Sequence, residues 1–117
     1  MKKIYYLSTC STCNRIIKDL GLDASFEFQD IKSNPITKDQ LEEMEKISGA
    51  YESLFSKRAI KYKTMGLKDK ALSEADIKKL ILDEYTFLKR PVIIIDDVIF
   101  VGNSKKTIEA AKKMFSV

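Results

Sequence analysis

A chain of 117 residues, 44% hydrophobic and 32% charged, is sized for one domain, and four Gly with two Pro argue against extended disorder. The net charge of +4, from 21 basic and 17 acidic side chains spread along the chain, falls short of the concentrated basic excess that nucleic-acid binding uses. No apolar run approaches the ~20 residues that span a bilayer, so neither direct nucleic-acid binding nor a membrane role is expected.

Residues 1–9, MKKIYYLST, place two lysines before an apolar stretch too short for the ~7–15-residue core of an export signal. A reducing cytoplasm is therefore the expected compartment. There a cysteine pair serves catalysis, redox sensing or metal binding more often than it staples a fold.

Lys3 to Leu7, KIYYL, is β-branched and aromatic, which predicts a buried strand. Ile16, Ile17 and Leu20 then recur at helical spacing, with Gly21 placed as a left-handed C-cap. Ser25 to Ile31 alternates Phe26 and Phe28 with polar residues, the pattern of a second strand. Two strands joined through a helix predict a parallel, right-handed βαβ unit.

Thr37 with Gln40 forms a capping box for a helix to about Ser48, with Leu41, Met44 and Ile47 inward and Gly49 ending it. Leu54 and Phe55 suggest another short helix. Ser56 to Lys63, SKRAIKYK, is the densest basic stretch and reads chiefly as a solvated face. Ser73 with Asp76 marks a further helix start, and Ile77, Leu80 and Ile81 carry its apolar stripe to near Tyr85. Pro91 opens the strongest strand signal, VIIID, and VIFVG after Asp96-Asp97 completes a hairpin. The last helix runs from Ser104 to Phe115 with Ile108, Ala111 and Phe115 on one face. The order β-α-β, helical block, β-β-α predicts an α/β fold: a mixed sheet of four strands with helices on both faces.

The only two cysteines, Cys10 and Cys13, stand three positions apart in YLSTCSTCNR, one just before the first helix and one in its first turn. A zinc site within one subunit needs about four Cys or His ligands, and the chain has no histidine and no third cysteine, so no metal is expected. A passive disulfide would close a tiny loop and persist poorly in the cytoplasm. Two thiols buried merely as small hydrophobes stay open as a reading. Position favours redox or nucleophilic chemistry, because a helix N-terminus offers unpaired N–H groups and macrodipole charge to a thiolate. One helical turn also brings two Cα atoms within the ~4.4–6.8 Å that a disulfide needs. Cys10, ahead of the helix, is then the exposed attacker and Cys13 the shielded resolver.

Lys89-Arg90-Pro91-Val92 is the second element. Pro91 either opens its strand in trans, leaving Arg90 a solvated loop residue, or follows a cis bond that turns the Arg90 backbone toward the cysteine loop. In the second case the Arg90 guanidinium adds positive charge and an oxyanion fork beside Cys10.

CSTC after KIYYL, SKRAIKYKTMGL, and RP before three β-branched residues together resemble the arsenate reductase (ArsC)/Spx family of thioredoxin-fold proteins over nearly the whole chain. The resemblance implies one domain over 1–117, with a thioredoxin-like core in 1–31 and 86–117 and a helical insertion in 32–85. It also implies a cis bond at Pro91 and pairing of the Pro91 strand with the first. Arsenate reductases of the family resemble this chain at Cys10, the nucleophile position, and at Arg90, one of three oxyanion-binding arginines. The family's upstream histidine falls at Tyr6, its first arginine near Ser56 with Arg58 two residues away, and its third around 100–103, where no basic residue stands. Spx-like regulators share the CxxC and an RP pair, and one of their contacts involves a glycine near the position of Gly49.

Two functions follow from the resemblance. One is a thiol–disulfide oxidoreductase in which Cys10 attacks, Cys13 resolves, Arg90 and Arg58 stabilise negative charge, and Pro91 shapes the substrate groove. There Thr9, Ser11 and Thr12 donate hydrogen bonds, though they also read as turn and N-cap residues. It holds no cofactor and draws on an external thiol reductant such as glutathione with glutaredoxin, or thioredoxin. The other is a redox-sensing regulator that binds the α subunit of RNA polymerase.

Overall fold

The computed structural model describes residues 1–115, except for the side chain of Phe115, whose expected place beside Ile108 and Ala111 lies outside the described residues. By its contacts the chain divides into two units: Met1–Asn34 together with the chain from Arg90 onward, and Pro35–Lys89.

In the first unit, β1 (Lys2–Tyr6) leads into α1 (Ser11–Leu20) and β2 (Glu27–Asp30), and β3 (Val92–Ile95), β4 (Val98–Val101) and α5 (Lys105–Phe115) follow from the end of the chain. The four strands form a mixed sheet in the order β2-β1-β3-β4, flanked by helices. β1 runs parallel to β2 and antiparallel to β3, placing Ile4 opposite both Phe28 and Ile93. β3 and β4 form the hairpin read from Asp96-Asp97, with Asp96 taking the left-handed turn conformation at φ 55°.

Alternation along the strands sends Ile4 and Ile93 to one face, where they pack with Ile16 and Leu20 of α1, Phe26 and Ala111. Each large aliphatic side chain so buried contributes about 1.5–3 kcal/mol. Gly21, at φ 64°, ends α1 in a Schellman arrangement, its N–H reaching Lys18 C=O and that of Leu22 reaching Ile17 C=O, both at 3.1 Å.

β2 departs from expectation. It is shorter than Ser25–Ile31, Phe26 precedes it, and Phe28 is 40% exposed while Gln29 is buried. As an edge strand β2 lacks a neighbour on one side, so Phe28 is covered only in part and packs edge-on to Tyr6 at 5.9 Å. Gln29 donates from Nε2 to Asn34 C=O at 2.9 Å, which satisfies a buried amide.

The second unit holds α2 (Lys38–Ser48), α3 (Ile60–Thr64) and α4 (Glu74–Asp83). Leu41 and Met44 of α2 and Ile77 and Ile81 of α4 are buried, whereas Ile47 and Leu80 are only half-buried. Lys78 of α4 pairs with Glu42 of α2 at 2.7 Å. The expected helix at Leu54-Phe55 is a 3₁₀ turn over Glu52–Leu54, and Phe55 instead bridges Leu88 and stacks on Phe87 at 5.3 Å. The basic stretch supplies the short α3, with Lys57, Arg58, Lys61 and Lys63 exposed and Lys61 paired to Glu84 at 3.0 Å. Among the described residues no helix is long and apolar enough to cross a membrane.

Candidate redox-active thiol site

β1 stops at Tyr6, and the C=O of Leu7 accepts the N–H of Cys10 at 2.9 Å, closing a turn over residues 7–10. That turn sets Cys10 at the N-cap of α1 in an extended conformation, φ −91° and ψ 111°. Ser11 and Thr12 are the first two helical residues and Thr9 lies in the turn, so the N-cap is the cysteine itself rather than one of the hydroxyl residues. No side chain caps the helix, because sulfur stands where Ser or Thr would offer an oxygen.

Cys10 is half-buried and Cys13 is 0% exposed, one turn deeper, where it joins Ile16 and Leu20 on the inward stripe of α1. Both are free thiols, and each acts on the acidity of the other. Their acidities are pushed in opposite directions. Burial alone would raise the Cys10 thiol, but the N–H of Cys13, the Cys13 thiol, the N–H of Thr12 and the Arg90 charge outweigh it and hold Cys10 below the ordinary 9.0. Burial dominates at Cys13 and, with the neighbouring Cys10, pushes it up to about 11 against the pull of a Leu7 backbone contact and Arg90.

Arg90 is half-buried two residues ahead of β3, a cis peptide joins it to Pro91, and Pro91 is buried. Its Nε is shielded from solvent and has no hydrogen-bond partner among the described residues. A desolvated guanidinium N–H without an acceptor is costly unless an anion or water completes it. Arg58 belongs to the second unit, exposed just ahead of α3. Among the described residues no three His, Cys, Asp or Glu side chains gather as a metal cluster.

Further residues, not singled out in the sequence, hold the turn. Asn14 donates from Nδ2 to the C=O of Ser8 at 2.9 Å, and Ser8 donates from Oγ to the Asp30 carboxylate at 2.5 Å. Asp30 lies 22 residues from Ser8 and reaches it only through the parallel β1–β2 register, which no local pattern announces.

The thioredoxin-like sheet delivers a thiol pair to the mouth of its first helix, one sulfur half-buried and one shielded. The ArsC family model matches residues 5–111, and the chain belongs to the ArsC family. A possible arsenate reductase from Streptococcus mutans UA159 is 28% identical with a TM-score of 0.69, over 90% of this chain and 92% of that one. An arsenate reductase (ArsC) related protein from Brucella melitensis is 24% identical, TM-score 0.66, over 93% and 92% of the two chains. An arsenate reductase from Vibrio cholerae shares the fold at 16% identity and a TM-score of 0.73, over 96% and 95%. No curated protein matches the chain. Membership and these neighbours together support a thiol-oxidoreductase family.

Proposed function

We propose that the protein is a thiol–disulfide oxidoreductase in which Cys10 is the nucleophile and Cys13 the resolving thiol. The observation that carries this reading is a half-buried thiol at the N-cap of α1 with a second, buried thiol in its first turn, their acidities displaced in opposite directions, Cys10 downward and Cys13 up to about 11. The Cys10 thiolate attacks one sulfur of a client disulfide, the client S–S bond breaks, and the departing thiolate takes a proton. Cys13 then loses its proton and attacks Cys10 Sγ, forming the Cys10–Cys13 disulfide and releasing the second client thiol. The client gains two electrons, and an external thiol reductant, glutathione with glutaredoxin or thioredoxin, returns two to the protein.

The order of events follows from the electrostatics. While Cys10 is a thiolate it is one cause of the high Cys13 value, so Cys13 stays protonated. Once Cys10 is bound in a neutral mixed disulfide that influence is gone, and Cys13 deprotonates more readily. Arg90, with an unpartnered Nε, stabilises anionic sulfur or substrate. Arg58 is a second candidate for that role, Thr9, Ser11 and Thr12 supply hydrogen bonds, and Pro91 borders the substrate groove. Of the three oxyanion arginines of the family's arsenate reductases, Arg90 matches one, Arg58 lies two residues from another and the third position holds no basic residue, which favours a disulfide client over arsenate.

A regulator that binds the RNA polymerase α subunit is the second reading, and it leans on Gly49. That glycine caps α2 in the left-handed region at φ 97°, which accounts for it without a partner.

A Cys13→Ser variant tests the proposal. It should trap mixed disulfides through Cys10 from lysate and lose multiple turnover with a disulfide substrate and thioredoxin. Cys10 alkylation that titrates no lower than a model thiol would sink the reading. Retention of polymerase α subunit by the reduced protein alone, without turnover, would favour the regulator.

A further inference from the structure

Asn14, Ser8 and Asp30 form a continuous chain of hydrogen bonds around the loop that carries Cys10. From the helix side, Asn14 donates from Nδ2 to the C=O of Ser8 at 2.9 Å, while its own N–H donates to the C=O of Cys10 at 3.1 Å. From the sheet side, the Asp30 carboxylate accepts from Ser8 Oγ at 2.5 Å and from the N–H of Lys32 at 3.2 Å. It also takes a contribution from the Ser8 backbone N–H. The parallel ladder fixes where Asp30 stands: Tyr6 is its register partner, and the N–H of Ile31 donates to Tyr6 C=O at 2.9 Å. Ser8 is therefore gripped at its hydroxyl and its carbonyl from two different elements. Only Thr9 separates it from the nucleophile.

We propose that Asp30 and Asn14 are positioning residues that strap the 7–10 turn from both sides and hold Cys10 at the N-cap of α1, where no other side chain takes the first-turn amides. The reasoning is geometric. Backbone N–H groups reward an anion only along a narrow range of directions, and a loop free to shift by a fraction of an ångström would lose them. Nothing else caps α1, so those amides and the thiol depend on one another. Leu7 anchors the start of the turn in the core, but beyond it Cys10 is only half-buried. Ser8 and Thr9 are exposed. The hydrogen bonds of Asn14 and Asp30 supply what packing does not. The inference rests on the proposed nucleophilic role of Cys10 and extends it to residues that touch no substrate.

The test is site-resolved iodoacetamide alkylation of Cys10 across pH in the full-length protein, with thermal melting measured alongside. Asn14→Ala and Asp30→Ala should each raise the alkylation midpoint and slow the reaction at neutral pH by roughly fivefold, through a smaller thiolate fraction. Asp30→Asn, which keeps an oxygen to accept from Ser8 Oγ, should recover most of the wild-type rate. Ser8→Ala, which removes the hydroxyl link while keeping the Asn14 bond, should behave like Asp30→Ala. Variants that melt earlier but alkylate with the wild-type midpoint would assign these residues a purely structural role and overturn the inference while leaving the nucleophile assignment intact. A wild-type midpoint at the ordinary thiol value would overturn both.

Discussion

The four helices of ten or eleven residues begin in two different ways. At α2, Thr37 Oγ1 accepts the N–H of Gln40 at 3.1 Å and Gln40 Oε1 accepts that of Thr37 at 3.0 Å; at α4, Ser73 and Asp76 repeat the exchange at 3.1 and 3.0 Å. Acidic residues, Asp39 in α2 and Glu74 and Asp76 in α4, add charge that suits the macrodipole. At α5, Ser104 Oγ accepts the N–H of Thr107 at 3.2 Å. α1 begins at Cys10 with neither a side-chain cap nor an acidic first-turn residue. A good cap at such a position is worth about 1 kcal/mol, and α1 forgoes it. In the capped helices the first-turn amides are spent on stability. In α1 they remain available to a thiolate, which makes the same local physics a source of reactivity.

Replacing Cys10 by Ser is the strongest way to break this contrast. The variant should lose all mixed-disulfide trapping, and because Ser is a good cap it should raise stability by roughly 1 kcal/mol in urea unfolding. A variant less stable than wild type would mean that the sulfur is itself structural.

A pH titration sharpens the contrast within α1. Alkylation should proceed in two steps, Cys10 below 9.0 and Cys13 at about 11. For Cys13 the folded value lies above the unfolded one, so the folded state prefers the protonated thiol. Its contribution is complete below about 9 and is lost as pH rises toward about 11. Cys10 has the opposite sign, its lowered value favouring the folded state once thiols ionise. Denaturation monitored between those limits should show stability falling with pH in wild type and falling less in Cys13→Ala.

The capped starts supply the smallest effect. Thr37→Ala and Ser73→Ala should each cost about 1 kcal/mol of stability and leave the rate of Cys10 alkylation unchanged. An altered alkylation rate would show that helix starts in the second unit also govern the thiol.

Much of this was legible from residues near one another in the chain. The Thr37–Gln40 capping box, the helix start at Ser73, the Gly21 terminus, the Asp96-Asp97 hairpin and the placement of the cysteines around the start of α1 rest on spacings of a few residues, the range over which helix and turn energetics operate. The capped and uncapped helix starts can be read from Thr37, Ser73 and Cys10 alone. Leu54-Phe55 escaped that reading because Phe55 bridges Leu88, a partner its neighbours do not disclose. Phe28 escaped it because alternation names a face, and strand order decides how well that face is covered.

The sequence by itself determined the local elements and set a thiol pair at a helix mouth, since periodicity and capping act through adjacent turns. Only the tertiary structure decided which residues meet that mouth. The charge of Arg90, eighty residues along the chain, acts on Cys10, and Asp30 reaches Ser8 through the β1–β2 register. Electrostatic and hydrogen-bond energies depend on distance in space, and that distance is set by how the strands pair.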